Sequence, residues 1–246
     1  MARRPSLALL IIIAGAFFLI GLYTAFLQVP QGTPAPTGTP SDPAEAGPTT
    51  TAPSEQTALI VGVNDLTATS PELRSLWFVS FRPPAMDVFL LGIPLDTVVQ
   101  GDPGLPISAH FSLNEQRELS ETFVDALFRT VPLTYQTTVV LDEQAFAGLV
   151  DFVGGVPIND ATFSGQEVLG ILSLTDGDPA GNLALQRRLL AALAERAGLL
   201  GRAPEVTSLV ELMPTHLRPS ITLNEMVGLV APLLPLQATT THIELY

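Results

Sequence analysis

The sequence predicts a three-layer α/β domain, with helices on both faces of a central mixed sheet. From residue 57 to the C-terminus, short apolar runs of strand length alternate with helical apolar patterns, and no internal repeat interrupts them. The 246 residues suit one substantial domain with accessory segments. We therefore expect a single folded domain over residues 57–246.

The individual elements are predicted from apolar periodicity together with capping and turn residues. Strands or extended segments are expected at 58–63, 76–81, 88–95, 107–110, 135–141, 156–158 and 240–245. Helices are expected at 112–129, opened by a capping-box pattern at 112–115, at 142–153, capped by Asp142, and at 164–172, opened by the segment from Ser164 to Glu167. Further helices are expected at 183–198, 204–212 and 223–234.

The strands 76–81 and 88–95 read as an antiparallel hairpin about a turn at 82–87. If the hairpin is centred near residue 85, opposing residue numbers sum to about 170, so Arg74 faces Asp96. We expect these two residues to form an ion pair, with the hydroxyl of Thr97 beside it. A buried strand that ends in polar residues is where α/β sheets usually hold ligands. The alternative is that the pair only fixes the end of the hairpin.

Residues 6–27 are predicted to form a transmembrane helix, with residues 1–5 in the cytoplasm. Arg3 and Arg4 precede an uncharged run at 7–27, and its 21 residues would span about 30 Å as a helix. Because the positive residues stay inside, the C-terminal domain is expected outside the cell membrane, on a single-pass protein. A cleaved signal peptide is the alternative, but its apolar region is usually shorter.

Residues 28–56 are predicted to form a disordered linker. The segment holds seven prolines among threonines, alanines and glycines, and it lacks any periodic apolar pattern that could build a core. A passive spacer explains this composition. Threonines beside proline also permit glycosylation, and the sequence does not decide between the two.

Composition and motifs exclude several classes of function. The 11 basic residues, all arginine, face 24 acidic residues, so a broad basic surface for nucleic acid is not expected. No cysteine is present, which excludes disulfides and thiol chemistry. The sequence has no P-loop and no nucleophile elbow. Because His110, His216 and His242 lack metal-ligand spacing, each is expected to be structural or exposed.

Residues 57–246 resemble the LytR-CpsA-Psr family of cell-envelope proteins, also described as cell envelope-related transcriptional attenuators. The resemblance rests on motifs in matching order: the strand before Asn64, Arg74-Ser75, the segments 93–97, 154–156 and 163–169, and the helix start at Gln186. It implies one N-terminal membrane helix and an extracytoplasmic α/β domain. It also implies transfer of glycopolymers from a polyprenyl-pyrophosphate lipid to the cell wall, with Mg²⁺ and several arginines around the pyrophosphate.

This sequence departs from the family pattern at most of the charged positions. The family's Arg-Ser-Asp ends here in Leu76, and its Ile-Pro-Arg-Asp has Leu95 in place of the arginine. Four further family arginines fall on neutral residues, Ser173, Thr175, Asn182 and Leu185. The departures imply that catalysis is impaired or lost.

The candidate site residues follow from what remains of that pattern. Arg74 and Asp96 are the candidate catalytic residues. Asn64, which stands where the family has an aspartate, and Asp65 are candidate ligands for Mg²⁺ if the protein is active. Arg188 is either a substitute donor, one helical turn after Leu185, or an ordinary surface arginine.

Three hypotheses remain open at this stage. The protein could keep the fold and bind a polyprenyl-linked lipid or glycopolymer without catalysis. It could be an active glycopolymer transferase with a rebuilt site, or a purely structural envelope domain. Activity on a lipid-linked pyrophosphate separates the second from the others, and binding of a polyprenyl lipid separates the first from the third.

The predicted membrane topology leads to a first test. Protease added to intact cells or spheroplasts should digest residues 57–246, because the arginines before the apolar run keep the N-terminus inside. Immunoblotting of the domain before and after lysis measures this. Full protection of the domain until lysis would contradict the topology.

Overall fold

The computed structural model describes residues 55–81, 87–102, 104–158, 161–197, 215–221 and 240–245. Its main sheet has six strands: β1 Gln56–Val63, β2 Leu73–Phe81, β3 Asp87–Gly92, β4 Thr137–Asp142, β7 Leu217–Pro219 and β8 Thr240–Leu245. They lie in the order β7-β4-β1-β2-β3-β8. The pairs β1–β4 and β3–β8 are parallel and the others antiparallel, so the sheet is mixed, as the sequence predicts.

Four α-helices and a small hairpin complete the described part of the domain. The helices are α1 Glu121–Thr130, α2 Glu143–Phe152, α3 Gly165–Ser173 and α4 Pro179–Ala197. The hairpin pairs β5 Val156–Ile158 with β6 Ala161–Phe163. The predicted caps of two helices are confirmed: the Asp142 side chain caps α2, and Ser164 forms a capping box with Glu167 at the start of α3.

The side chains of β1 alternate between two hydrophobic cores, one on each face of the sheet, because successive side chains of a strand point to opposite faces. Leu59 and Val61 are fully buried against α1 and the segment 107–110. Ala58 and Ile60 face α2, α3 and α4 on the other side. Helices therefore cover both faces of the sheet, which confirms the predicted three-layer arrangement.

The register of the hairpin differs from the prediction by one residue. Trp77 pairs with Gly92 and Phe81 with Val88, so opposing numbers sum to 169. The ladder ends near the bond from Ile93 N–H to Leu76 O, because Pro94 turns the chain away and its carbonyl accepts from the amide of Thr97. The chain therefore does not continue along the strand to bring Asp96 opposite Arg74.

Two local predictions before α1 were wrong. The helix begins at Glu121 with Ser120 as its cap, not at the capping-box pattern of 112–115. The Asn114 side chain accepts hydrogen bonds from the amides of Gln116 and Glu118 and so holds a turn in place of a helix. The stretch Ile107–His110, expected to be extended, is a short 3₁₀ helix.

Several predictions lie outside the described residues. These are the transmembrane helix 6–27 with residues 1–5, nearly all of the linker 28–56, and the tail helices 204–212 and 223–234. Within the described ranges, no helix has the length and apolar character needed to cross a membrane.

Two glycines of α3 provide a matched test of packing between α2 and α3. A Cβ added to Gly165 would lie 2.2 Å from the backbone oxygen of Ala147 in α2, whereas one added to Gly170 would meet nothing within 4 Å. We expect Gly165→Ala to destabilise the domain by about 1–3 kcal/mol, because α2 must shift. Gly170→Ala should be neutral, or stabilising by up to about 1 kcal/mol, through helix propensity.

Urea unfolding followed by circular dichroism measures both variants. Equal midpoints for the two variants would show that the close approach of α3 to α2 is wrong.

Candidate ligand-binding site

A cavity of about 380 Å³ lies between the sheet and the helices α2, α3 and α4. Its floor is formed by residues of the sheet, and its walls by leucines and Phe146 from the helices. The volume is within the range of pockets that hold small molecules, and the walls are mainly apolar. Apolar lining residues include Ile60, Trp77, Leu90, Phe146, Leu169, Leu172, Leu183 and Leu189.

Arg74 lies at the polar end of this cavity and contacts three carboxylates. Its Nη2 is 3.4 Å from Oε2 of Glu72, its Nε is 3.4 Å from Oε1 of Glu143, and its Nη1 is 3.7 Å from Oδ1 of Asp176. Glu143 and Asp176 also line the cavity. We call Arg74 and these three carboxylates the acidic mouth. With one positive and three negative charges, it has a formal charge of −2.

The acidic mouth perturbs the ionisation of Glu143. Burial raises the pKa of Glu143 above its ordinary value, Arg74 opposes that rise, and the nearby charges of Asp176, Asp142 and Glu72 reinforce it. The side chain is 40% exposed, so water screens part of these interactions. Burial is thus the first cause of the raised pKa of Glu143, and the neighbouring acids add to it.

Neutral side chains fill the rest of the mouth and bond to one another. The Asn182 amide donates to Oγ1 of Thr175 at 2.9 Å, and the Gln186 amide donates to Oδ1 of Asn182 at 2.5 Å. Gln186 Nε2 also donates to the backbone oxygen of Arg74, and its Oε1 accepts from the indole of Trp77. This network joins α4 to β2 and fixes the start of α4 against the cavity.

Asp142 and His216 form a contact that sequence reasoning missed. The Asp142 side chain is almost fully buried, and its Oδ2 is 2.7 Å from Nδ1 of His216. Its two oxygens also accept from the amides of Ala145, at the start of α2, and of Leu66. The helix-capping pattern at Asp142 was visible in the sequence, but His216 lies 74 residues away and no local signal links the two.

The predicted ion pair of Arg74 with Asp96 is wrong. Arg74 contacts Glu72, Glu143 and Asp176, whereas Asp96 is exposed in the turn after Pro94 and does not line the cavity. The proline-led turn and the one-residue change of register separate them.

Arg188 does not take the place of a missing donor in the cavity. It is exposed on α4 and is absent from the cavity lining, which includes Asn182 and Gln186. Arg188 follows Gln186 by two residues, or about 200° around the helix axis, and so lies on the opposite side of α4. The structure therefore supports the interpretation of Arg188 as a surface arginine.

Asn64 and Asp65, the candidate metal ligands, hold the loop between β1 and β2. Asn64 Oδ1 accepts from the amides of Asp65 and Glu72, while Asp65 Oδ1 accepts from the amide and hydroxyl of Thr67. These bonds to Thr67 lower the pKa of Asp65. Neither residue lines the cavity, and no group of three or more potential ligands is arranged for a metal among the described residues.

Comparison with solved structures identifies the fold. The structure described as "TagT bound to LIIa-WTA" superposes with a TM-score of 0.57 and 15% identity, covering 78% of each chain. The crystal structure of B. subtilis TagV gives a TM-score of 0.56 and 17% identity, covering 78% of this chain and 84% of that one. TagT and TagV are members of the LytR-CpsA-Psr family.

This chain has the LytR-CpsA-Psr fold. The predicted resemblance is thus confirmed at the level of the fold. No family sequence model and no curated protein matches the chain.

The acidic mouth leads to a test of its electrostatics. Arg74→Gln should raise the pKa of Glu143 further, because it removes the cation that stabilises the carboxylate. Asp176→Asn should lower the same pKa, because it removes a like charge. Titration of the Glu143 side-chain carboxyl carbon by NMR measures both.

Gln116→Asn, at an exposed turn outside the cavity, is the control and should leave the titration unchanged. Shifts of the same sign in the Arg74 and Asp176 variants would contradict the cluster.

Proposed function

We propose that this chain is a membrane-anchored, extracytoplasmic cell-envelope protein of the LytR-CpsA-Psr fold. It binds the apolar chain of a polyprenyl-type lipid, free or linked to a glycopolymer, and its catalysis of glycopolymer transfer is impaired or lost. The observation that carries the proposal is the apolar cavity whose mouth holds one arginine among three carboxylates.

The cavity walls support the binding of an apolar chain. Side chains from the sheet and three helices enclose about 380 Å³ of mainly apolar space. Moving apolar surface from water into such a space is favourable by about 25 cal/mol per Å². One end of the cavity is polar, so a ligand with a long apolar part and a polar head matches its shape and chemistry.

The charges at the mouth support the loss of catalysis. Transfer from a pyrophosphate lipid develops negative charge on the leaving group, and each positioned donor is worth roughly 3–4 kcal/mol in such a transition state. Three positions that the family resemblance assigns to arginine, Ser173, Thr175 and Asn182, line this cavity as neutral residues. Arg74 is already surrounded by carboxylates and offers little free positive charge.

The residues present also do not fit the Mg²⁺ that the resemblance implies. Oxygen ligands for Mg²⁺ must converge in near-octahedral geometry. Asn64 and Asp65 bond to their own loop, outside the cavity, and the mouth carboxylates each face the guanidinium of Arg74. We therefore assign no catalytic step to a metal here.

Two alternatives remain with distinct expectations. An active transferase with a rebuilt site would cleave a lipid-linked pyrophosphate and depend on Arg74. A purely structural domain would bind no lipid chain, and filling the cavity would change nothing but stability.

The test uses the full-length protein in lipid nanodiscs. We expect a fluorescent polyprenol to bind to the wild type and to lose at least about tenfold in affinity in Leu169→Trp, which fills the cavity. Leu133→Trp, at an exposed site outside the cavity, should bind normally. Equal binding by all three proteins would contradict the proposed cavity site.

Catalysis is measured on the same samples with a lipid-pyrophosphate substrate and Mg²⁺. The wild type should release no product above the empty-nanodisc background. Two variants test whether positive charge at the mouth affects product release. Ser173→Arg/Thr175→Arg adds two charges at the cavity mouth, and the control Glu115→Gln/Gln116→Arg changes the net charge equally at an exposed turn outside the cavity. Robust product from the wild type, abolished by Arg74→Ala, would favour the active transferase.

A further inference from the structure

We infer that the cavity selects an amphiphile whose head is a hydrogen-bond-donating cation, a primary ammonium group, over one whose head is a phosphate. The inference rests on the proposed binding of an apolar chain and names the chemical class of the head. Of the two ligands proposed above, it disfavours the glycopolymer-linked lipid, because that lipid carries its head through a phosphate. It follows from which hydrogen-bond donors and acceptors at the mouth remain free to bind a ligand.

Four neutral side chains at the mouth have their donors committed within the protein. Both hydrogens of the Asn182 amide have partners, Leu172 O and Thr175 Oγ1, and the Gln186 amide donates to Arg74 O and Asn182 Oδ1. The hydroxyls of Thr175 and Ser173 donate to backbone oxygens of α3. A phosphate needs donors, and these four side chains have none to offer without breaking existing bonds.

Arg74 is the cation at the mouth, and its position does not favour an anion either. Each of its three guanidinium nitrogens faces a different carboxylate, at 3.4, 3.4 and 3.7 Å. Its Nε is buried, so a ligand cannot approach that atom without moving the side chain. An arriving phosphate would compete for the guanidinium with Glu72, Glu143 and Asp176 and would be repelled by all three.

The acceptors at the mouth outnumber the donors. Glu143 and Asp176 line the cavity, and each ionised carboxylate offers about four lone pairs, of which a single arginine contact uses a small part. An ammonium group carries three donors and no acceptor, so it matches this set and offsets the surplus negative charge. The apolar walls then hold its chain, as the proposed function requires.

The experiment compares three probes with the same chain: dodecylamine, dodecanol and dodecyl phosphate. Each displaces the fluorescent polyprenol from full-length protein in nanodiscs at neutral pH, below the concentration at which the probes form micelles. Binding to Leu169→Trp and to empty nanodiscs is subtracted, so that partition into the bilayer is not counted. We expect dodecylamine to bind at least about tenfold more tightly than dodecyl phosphate, because like charges brought together cost affinity.

Removing the carboxylates should remove the preference. In Glu143→Gln/Asp176→Asn, dodecylamine should lose about tenfold while dodecanol binds as before, which also reports that the cavity is intact. The control Glu115→Gln/Asp125→Asn makes the same charge change at exposed positions outside the cavity and should keep the preference. If the double variant loses dodecanol as well, Asp176→Asn alone, at an exposed turn, provides the test.

The possible failures are distinguishable. If none of the probes binds, the cavity site of the proposed function fails, and this inference fails with it. If dodecanol binds and dodecyl phosphate equals or exceeds dodecylamine, the inference is overturned while the proposed function stands. If Mg²⁺ makes dodecyl phosphate the better ligand, the carboxylates act through a metal, and the inference is likewise overturned.

Discussion

The buried carboxylate of Asp142 is the interaction on which the site depends. It sits at the end of β4, where one oxygen caps α2 through the amide of Ala145 and the other meets Leu66 and His216. A buried charge loses several kcal/mol of solvation, and hydrogen bonds to charged groups return about 1.5–3 kcal/mol each. One side chain thus joins the sheet, α2, the loop after β1 and the segment before β7.

The same arrangement fixes the composition of the cavity mouth. Because α2 starts directly after Asp142, its first residue, Glu143, is held beside Arg74. The turn before α4 brings Asp176 to the other side of the guanidinium, and Pro179 opens that helix with a φ already suited to it. The acidic mouth is therefore built by the backbone geometry of two helix starts, and not by a chance meeting of long surface side chains.

The fold was largely predictable because it rests on local patterns. Short apolar runs in β1 and β2 indicated strands, and the caps at Asp142 and Ser164 placed two helices correctly. The start of α1 was missed because Asn114 offers the backbone a competing turn whose strength depends on tertiary contacts. A pattern of residue types alone does not tell whether the helix or the turn is the more stable at this position.

The site was less predictable because its contacts join distant segments. The predicted hairpin register was wrong by one residue. This shift, together with the turn at Pro94, places other carboxylates beside Arg74 in the position expected for Asp96. The partners of Arg74 include Asp176, about a hundred residues along the chain. The role of Gly62 was equally hidden: a Cβ there would lie 2.2 Å from Oγ of Ser75 on the paired strand.

The separation of core from mouth explains how this fold can persist while its charged residues change. Leu76, where the sequence resemblance implies a family acid, is fully buried on the α1 side of the sheet, and an aspartate there would lose its solvation. This substitution therefore belongs to the core. Ser173 and Thr175 lie at the mouth, where each hydroxyl bonds to a nearby backbone oxygen and stability needs no positive charge. Stability thus constrains Leu76 and requires no positive charge at Ser173 or Thr175.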